Sequence, residues 1–426
     1  MTALVIFVVT YVGIALTRLP LIRRVNRPAA AFAGAVAMVL FGVMTLGEAV
    51  GTVDWGTIAL LLGMMVVVAC LSRDGYLEKA ASLTFGRART PWGLLLMVVA
   101  LTAVASAVLV NDTAVLVLTP LVIFACRRMS VSPIPFLIAE AMASNIGSVP
   151  SAVGNPQNVI VALQSGVSFE RFALHLLPGA VASGLLLLAV VRWVYRKQFR
   201  LVIDLRPQTS DPIPPTPEGL GSRVWGTELM AYLSPAVAVL VIAGFATSTW
   251  TGLGLPLVAL AGAGVLLLAN LPRAGGLFER VDWTLLLFFA GLFIVMGGIA
   301  RQDYFKDIVD STDLGTGPSG VAWVHGAALA LSQVVSNVPF TILMVPVLSG
   351  QGSDLLWLSL ASAATLAGNL TLVGAVANLI VAQVAEREGV VVGFWEFLKV
   401  GLIVTVGSVV ISWGLLAVQA ELGWLK

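Results

Sequence analysis

The chain has 426 residues, of which 58% are hydrophobic and 11% charged, with a net charge of +2 and a mean hydropathy of +0.98. So little polar surface excludes a soluble domain of this length, and there is no basic excess to hold nucleic acid. Cys70 and Cys126 sit in or at the end of apolar runs without CxxC or metal spacing, and read as small buried hydrophobes.

Apolar runs between charged breaks are read as helices, because crossing a hydrocarbon core of roughly 30 Å takes about 20 helical residues. They fall at 2–17, 29–47 and 54–71, then at 92–110 and 113–126 on either side of Asn111-Asp112. A run at 134–165, interrupted at Gly154-Asn155-Pro156-Gln157-Asn158, and another at 172–195 close the first half. Between 198 and 227, Pro207, Pro212, Pro214, Pro215 and Pro217 with Asp204, Asp211 and Glu218 mark an extended linker. The pattern resumes at 228–250, 253–270 and 283–300. Runs at 321–336 and 338–349 flank Ser336-Asn337, followed by 355–386, interrupted at Gly368-Asn369-Leu370-Thr371-Leu372-Val373-Gly374, and by 397–420.

The second half echoes the first. The stretch from Val53-Asp54-Trp55 to Gly63 aligns without a gap with that from Val281-Asp282-Trp283 to Gly291. Val110-Asn111-Asp112 followed by Pro120 answers Ser336-Asn337-Val338 followed by Pro346, and Gly154 to Asn158 answers Gly374 to Asn378. The short runs beside the two Asn-centred breaks fit hairpins, 92–126 and 321–349, that enter and leave on one face. The expected fold is an all-α polytopic membrane protein. It has two inverted five-span repeats, about ten transmembrane helices, two re-entrant hairpins and two broken helices, 134–165 and 355–386. The first repeat occupies 1–197, the cytoplasmic linker 198–227 and the second repeat 228–426.

Alternating sides from an outer N-terminus leaves only Arg171, Arg301, Lys306 and Lys426 outside. Every other loop cation falls inside, from Arg18, Arg23, Arg24 and Arg27 to Arg387 and Lys399, which is a strong positive-inside bias. An odd number of spans per repeat turns the second upside down. The chain is expected in the cell inner (plasma) membrane with both termini outside.

In hydrocarbon, non-helical backbone survives only where it lines a protected cavity. The two hairpin tips and the two helix breaks are such places, and their polar side chains form the candidate substrate site: Asn111, Thr113, Asn155, Asn158, Ser336, Asn337, Asn369, Thr371 and Asn378. A single Asn is as readily a helix cap or interhelical glue; the repeat-related set, with Asn145, points to a site. Asp112 and Glu140 lie in apolar runs that hold no Lys or Arg, and an ionisable group at depth is a functional candidate by default. They are the candidate proton carriers, Asp112 first. The competing roles are an N-cap for Asp112 and a hydrogen-bonded residue near the cytoplasmic end of its span for Glu140. His175 and His325 are placed near span ends, and Asp54 and Asp282 as helix caps. GxSxG, HExxH and phosphate-loop patterns are missing, so no enzymatic activity and no cofactor is expected.

Asn111-Asp112-Thr113, Ser336-Asn337-Val338-Pro339, Gly154 to Asn158 and Gly368 to Gly374 resemble the ion transporter superfamily, from about residue 25 to 420. That group includes arsenite efflux permeases, citrate–metal and dicarboxylate symporters and sodium/proton exchangers; the motifs are nearest to the arsenite/antimonite permeases. The resemblance implies a scaffold domain, a transport domain moving like an elevator, and commonly a homodimer. The dicarboxylate branch carries Ser-Asn-Thr at both tips, and the departures here speak against sodium-coupled dicarboxylate uptake.

A multivalent anion desolvated without a cationic partner costs many kcal/mol, and no basic residue lies near the four site loops. Asn amides and hydroxyls suit a neutral polyhydroxyl acid better, and arsenite and antimonite are such species at neutral pH. The expected function is secondary active transport, with proton-coupled arsenite/antimonite efflux as first choice. The alternatives are a small anion (citrate, sulfate or another carboxylate or oxyanion) and sodium/proton antiport. The chain has no nucleotide-binding loop, so the coupling ion is a proton, with sodium second; a soluble ATPase partner is a further route.

Overall fold

The computed structural model describes residues 1–16, 27–200, 232–271 and 274–425, and every regular element among them is helical. The linker from 201 on, Arg18, Arg23, Arg24, Arg206, Arg223, Arg273 and Lys426 lie outside the described residues. The first half runs α1 (Thr2–Leu16), α2 (Arg27–Leu40), α3 (Leu46–Thr52), α4 (Trp55–Arg73), α5 (Tyr76–Phe85), α6 (Pro91–Val108) and α7 (Asn111–Arg128). It continues with α8 (Ile134–Ser148), α9 (Pro156–Ser165), α10 (Phe169–Val194) and α11 (Arg196–Arg200). The second half runs α12 (Leu233–Ala246), α13 (Ser248–Thr251), α14 (Leu255–Ala269), α15 (Ala274–Phe278), α16 (Trp283–Ala300) and α17 (Asp303–Ser311). It ends with α18 (Pro318–Val335), α19 (Asn337–Ser349), α20 (Asp354–Ala367), α21 (Val376–Arg387) and α22 (Phe394–Glu421).

Among the described residues, α4, α6, α10, α16 and α22 are long and apolar enough to cross a membrane, and six shorter helices are apolar in overall composition. The chain is a multi-pass membrane protein. Its helices start where the sequence supplies caps. Asp54 accepts from the Thr57 amide at 3.1 Å and Asp282 from the Leu285 amide at 2.9 Å, satisfying N–H groups that a helix start leaves open. At α3, Thr45 and Glu48 form a reciprocal capping box. The Thr45 amide and hydroxyl, with Arg301, hold the exposed Glu48 carboxyl down at about 2.

The side chains divide into two apolar cores. One joins α1 to α4 with α12, α14 and α16, around Met38, Leu60, Phe245 and Phe289. The other joins α5 to α8 and α10 with α18 to α22, around Phe136, Phe172, Phe340 and Phe397. α9 feeds both, Val159 and Ile160 into the first and Val161 and Ala162 into the second.

Two close helix crossings in the first core require glycine. A Cβ on Gly63 of α4 would lie 2.7 Å from the Ala259 carbonyl carbon of α14, and one on Gly291 of α16 would lie 2.8 Å from that of Ala31 on α2. Small residues let apolar helices approach this closely, which is how they gain contact without a hydrophobic driving force. The sequence shift that takes Gly63 to Gly291 also takes Ala31 to Ala259.

Two helices break the apolar-run reading. α5 carries Glu78 and Lys79 yet buries Ala81 and Phe85 in the second core, and α17 is amphipathic with Asp303, Lys306 and Asp307 outward. His325 is central in α18 rather than near its end, and is buried because Val321 and Ser412 meet its polar demand. Cys70 and Cys126 are both buried and unbridged.

Candidate functional site

The two interrupted helices set the geometry. α8 stops at Ser148 and α9 restarts after Asn155, whose side chain caps it by accepting from the Asn158 amide at 2.9 Å. α20 stops at Ala367 and α21 restarts at Val376. Each stop leaves main-chain carbonyls that helix hydrogen bonds no longer satisfy, and in each an Asn of the restarted helix reaches back to them. Asn158 Nδ2 donates to the Ser148 and Ser151 carbonyls, both at 3.0 Å, with Val149 at 3.3 Å. Asn378 Nδ2 donates to the Gly368 and Thr371 carbonyls at 2.8 and 3.1 Å. The partners lie ten and seven residues back in both cases.

The amide oxygens of these two clamps tie each break to the opposite half. Asn158 Oδ1 accepts from Thr365 of α20 at 3.3 Å, and Asn378 Oδ1 accepts from Asn145 of α8 at 3.0 Å. Asn145 also donates to Asn369 Oδ1 at 2.8 Å. Asn155 donates to Ser148 Oγ at 2.8 Å and to Thr365 Oγ1 at 3.1 Å, and Gln157 to Thr365 at 3.3 Å. Asn145, Asn155, Asn158, Asn369 and Asn378 are all buried. Each Asn amide has two donor hydrogens, and in Asn158 and Asn378 these are taken up by the fold itself.

The hairpin tips dock against these breaks. The Asn111 amide, at the start of α7, donates to the Gly154 carbonyl at 2.9 Å, and its side chain donates to Asn145 Oδ1 at 3.2 Å. At the other tip Ser336 joins α18 to α19 with φ at +82°, a strained conformation for a residue with a Cβ. Asn337 then lies against the second break, where a Cβ on Gly368 would come within 2.8 Å of its Nδ2. Gly368 is therefore what admits the tip.

Asn111 Oδ1 and Asn337 Oδ1, one on each tip, are both buried without a hydrogen-bond partner. Thr371 donates to Gln333 Oε1 at 3.2 Å, and Gln333 donates to the Ala367 carbonyl at 2.7 Å, bracing the end of α20. Thr113 is half-buried in the first turn of α7.

Of the two carboxylates, Asp112 is half-buried and caps nothing: the N-cap of α7 is Val110, without a side-chain bond. It accepts no hydrogen bond among the described residues. Glu140 is fully buried, with Oε1 accepting from Thr119 at 3.0 Å and Oε2 unpartnered. No Lys or Arg among the described residues is buried.

Thr365, Ser148 and Gln333 were not singled out by sequence, and Gln157 and Gly368 only as members of the two break motifs. Thr365 has a signal in retrospect, since the shift relating Asn158 to Asn378 puts it in the place of Asn145.

A family model described as citrate transporter matches residues 11–365. An uncharacterized transporter of Mycobacterium bovis is 34% identical over 96% of both chains, and a 46 kDa membrane protein of Mycobacterium leprae is 32% identical over 96% of both. The P protein of Homo sapiens is 29% identical over 94% of this chain and 58% of its own length. Among solved structures, the YdaH transporter of Alcanivorax borkumensis aligns with a TM-score of 0.56 at 15% identity, covering 99% of this chain and 97% of that one. That likeness is one of fold.

Proposed function

The chain belongs to the citrate transporter family, and within it we propose a secondary active transporter whose two hairpin tips and two helix breaks enclose one solute site between inverted repeats. The observation that carries this reading is the pair of buried amide oxygens, Asn111 Oδ1 and Asn337 Oδ1, left without donors. A buried acceptor without a donor costs about 1–3 kcal/mol, which a ligand bearing hydroxyl groups recovers at both tips.

The surroundings favour a neutral solute. No Lys or Arg is buried among the described residues, so no fixed cation offsets the desolvation of a multivalent anion. A neutral trihydroxy acid such as arsenite or antimonite meets amide oxygens as a donor. Proton-coupled efflux of that class is the first reading. A carboxylate or oxyanion is the second, favoured by the family description. Sodium/proton antiport, with the tip oxygens as cation ligands, is the third.

The proton carriers in this proposal are Asp112 and then Glu140, neither of which has a cationic partner. The two separate cores fit a scaffold and a moving body that slide as an elevator. Few polar links cross between them, among them Tyr11 Oη donating to the Pro339 carbonyl at 3.2 Å and Gln164 Nε2 donating to Asp54 Oδ2 at 2.9 Å. A homodimer, an inner-membrane location with both termini outside, and an ATPase partner belong to the same proposal.

Purified protein in proteoliposomes under an imposed pH gradient tests it, with arsenite, citrate, sulfate and sodium offered separately. Gradient-driven arsenite movement is expected. Citrate or sodium flux without any response to arsenite overturns the first reading.

A further inference from the structure

The chain has two histidines, and both are buried close to one small cavity that the solute site does not use. The cavity measures about 10 Å³ and is lined by His175, Leu176 and Gly179 of α10, Ser412 and Leu416 of α22, and Val149 and Leu366 beside the helix breaks. That volume takes about one water molecule, provided polar partners are present.

The hydrogen-bond count supplies them. Gln419 grips His175 twice: its Oε1 lies 2.7 Å from Nδ1, and its Nε2 donates to the His175 carbonyl at 3.1 Å. An amide oxygen only accepts, so Nδ1 carries the hydrogen and Nε2 is left with a lone pair in the neutral ring. His175 is only 8% exposed, and its Nε2 has no protein partner among the described residues. His325 is fixed the same way, because Nδ1 faces the Val321 carbonyl at 2.9 Å and must donate to it. Its Nε2 lies 3.2 Å from Ser412 Oγ, which in turn lies 2.9 Å from Ser362 Oγ. Ser412 has one hydroxyl hydrogen and two acceptor positions. Given to His325 instead of Ser362, that hydrogen leaves Ser412 able to accept from one further donor on the cavity side, and Ser362 turns from the Ser359 carbonyl, 3.2 Å away, to donate to Ser412.

We propose that this cavity binds a single water molecule that donates to both His175 Nε2 and Ser412 Oγ, joining the two histidines in one relay. With His175 protonated, the water turns to accept from its Nε2–H. Three hops then move the charge: His175 Nε2–H to water, water to Ser412 Oγ, and Ser412 Oγ–H to His325 Nε2. Each group loses one hydrogen and gains one, except the two rings, which exchange their charge. Among the described residues, no other titratable side chain lines the cavity or bonds to either ring. The charged groups on the elements packed around it are Glu170 and Arg171 at the start of α10 and Arg192 at its end, Asp354 at the start of α20, Glu396 and Lys399 at the start of α22 and Glu421 at its end, and Glu140 on α8, bonded to Thr119. The bearing of this relay on coupling rests on the proposed transport function; its existence does not.

Because there are two histidines, imidazole nitrogen NMR of the full chain, labelled with 15N-histidine and purified with a histidine-free tag, gives two ring systems. Both are expected as Nδ1–H tautomers with hydrogen-bonded Nε2, with magnetisation passing from water to the His175 ring. Ser412→Ala should shift both Nε2 resonances. If it shifts that of His325 alone, or if wild-type His175 Nε2 resonates as a free base, the relay is wrong. Gly179→Val gives a second route, since a Cβ there lies 3.9 Å from the Ser412 Cα and the valine methyls would fill the cavity. It should abolish the water transfer to His175 while His325 keeps its tautomer; transfer that persists also overturns the proposal. Transport plays no part in this readout, so a failed relay leaves the solute site standing, and the reverse.

Discussion

Asn337 and Asn378 look alike in sequence, yet the structure gives them opposite roles that alanine separates. Asn378→Ala removes the two donors that satisfy the buried Gly368 carbonyl and the half-buried Thr371 carbonyl, and the acceptor used by Asn145. Asn145 keeps its bond to Asn369. The loss is therefore mainly two stranded carbonyls at about 1–3 kcal/mol each, and roughly 2–4 kcal/mol in all once the half-exposed one is discounted. Asn337→Ala removes a side chain whose oxygen already lacks a donor and strands no main-chain carbonyl, so its stability change should be small beside that of Asn378→Ala. Thermal unfolding of the detergent-solubilised protein, followed by tryptophan fluorescence, reads the first quantity, and proteoliposome flux reads the second. Asn378→Ala should melt several degrees below wild type, whereas Asn337→Ala should melt close to wild type and carry no solute. An Asn378→Ala protein that melts normally but does not transport would make Asn378 a ligand contact and refute the clamp.

Gly63→Ala and Gly291→Ala each drive a Cβ into the backbone of a facing helix; each should destabilise by about 1–3 kcal/mol in the same melt, and an unchanged midpoint for both would show that the helices can separate at no cost. At Glu48 the folded carboxyl sits at about 2, below the ~4.3 of an unfolded glutamate, so its contribution is intact above that value and fades as the pH falls toward 2. Glu48→Gln should flatten the pH dependence of melting in that window, and identical slopes in the two proteins would argue against it. Asp112→Asn keeps the shape but removes titration, so solute binding should persist while transport loses its response to pH; Glu140→Gln can still accept from Thr119 and is the second case. If both variants keep the wild-type pH profile, neither carboxylate carries the proton.

Most of the helices were legible because polar interruptions in an apolar chain are rare and each has a backbone consequence. Asp54 and Asp282 cap because a carboxylate before an apolar run has an amide to bind. The breaks at Asn155 and Gly368 were legible because glycine, proline and asparagine cannot continue a helix in hydrocarbon without another partner for the backbone. Sequence could not separate asparagines that serve the fold from those with a free oxygen. The partners of Asn158 and Asn378 are main-chain carbonyls, which every residue carries, so no side-chain pattern records them. Thr365 was invisible for a related reason: a threonine inside an apolar helix usually bonds its own backbone, as Thr365 also does to Ala361 at 2.8 Å. α5 was missed because its charged outer face hid a narrow buried stripe at Ala81 and Phe85.

The positions that keep their identity between the halves differ from those that do not. Gly63 and Gly291 make the same crossing, and Asn158 and Asn378 close the same break with the same spacing. Among the many positions where the halves differ, three lie at a tip or on the broken helices: Asp112 against Val338, Asn145 against Thr365, and Asn155 against Ala375. Two helix breaks of the same spacing need the same clamp twice, because the corresponding carbonyls are stranded twice. A solute without a twofold axis gains nothing from identical walls, since each of its groups meets one tip only. Differences at the tips are what a single asymmetric ligand would impose, and in the proposed site they would set the tip carboxylate, Asp112, on one side of that ligand. In the proposed mechanism a proton gained there would bias one tip and not the other, which is the asymmetry a coupled transporter needs to open toward one face of the membrane at a time.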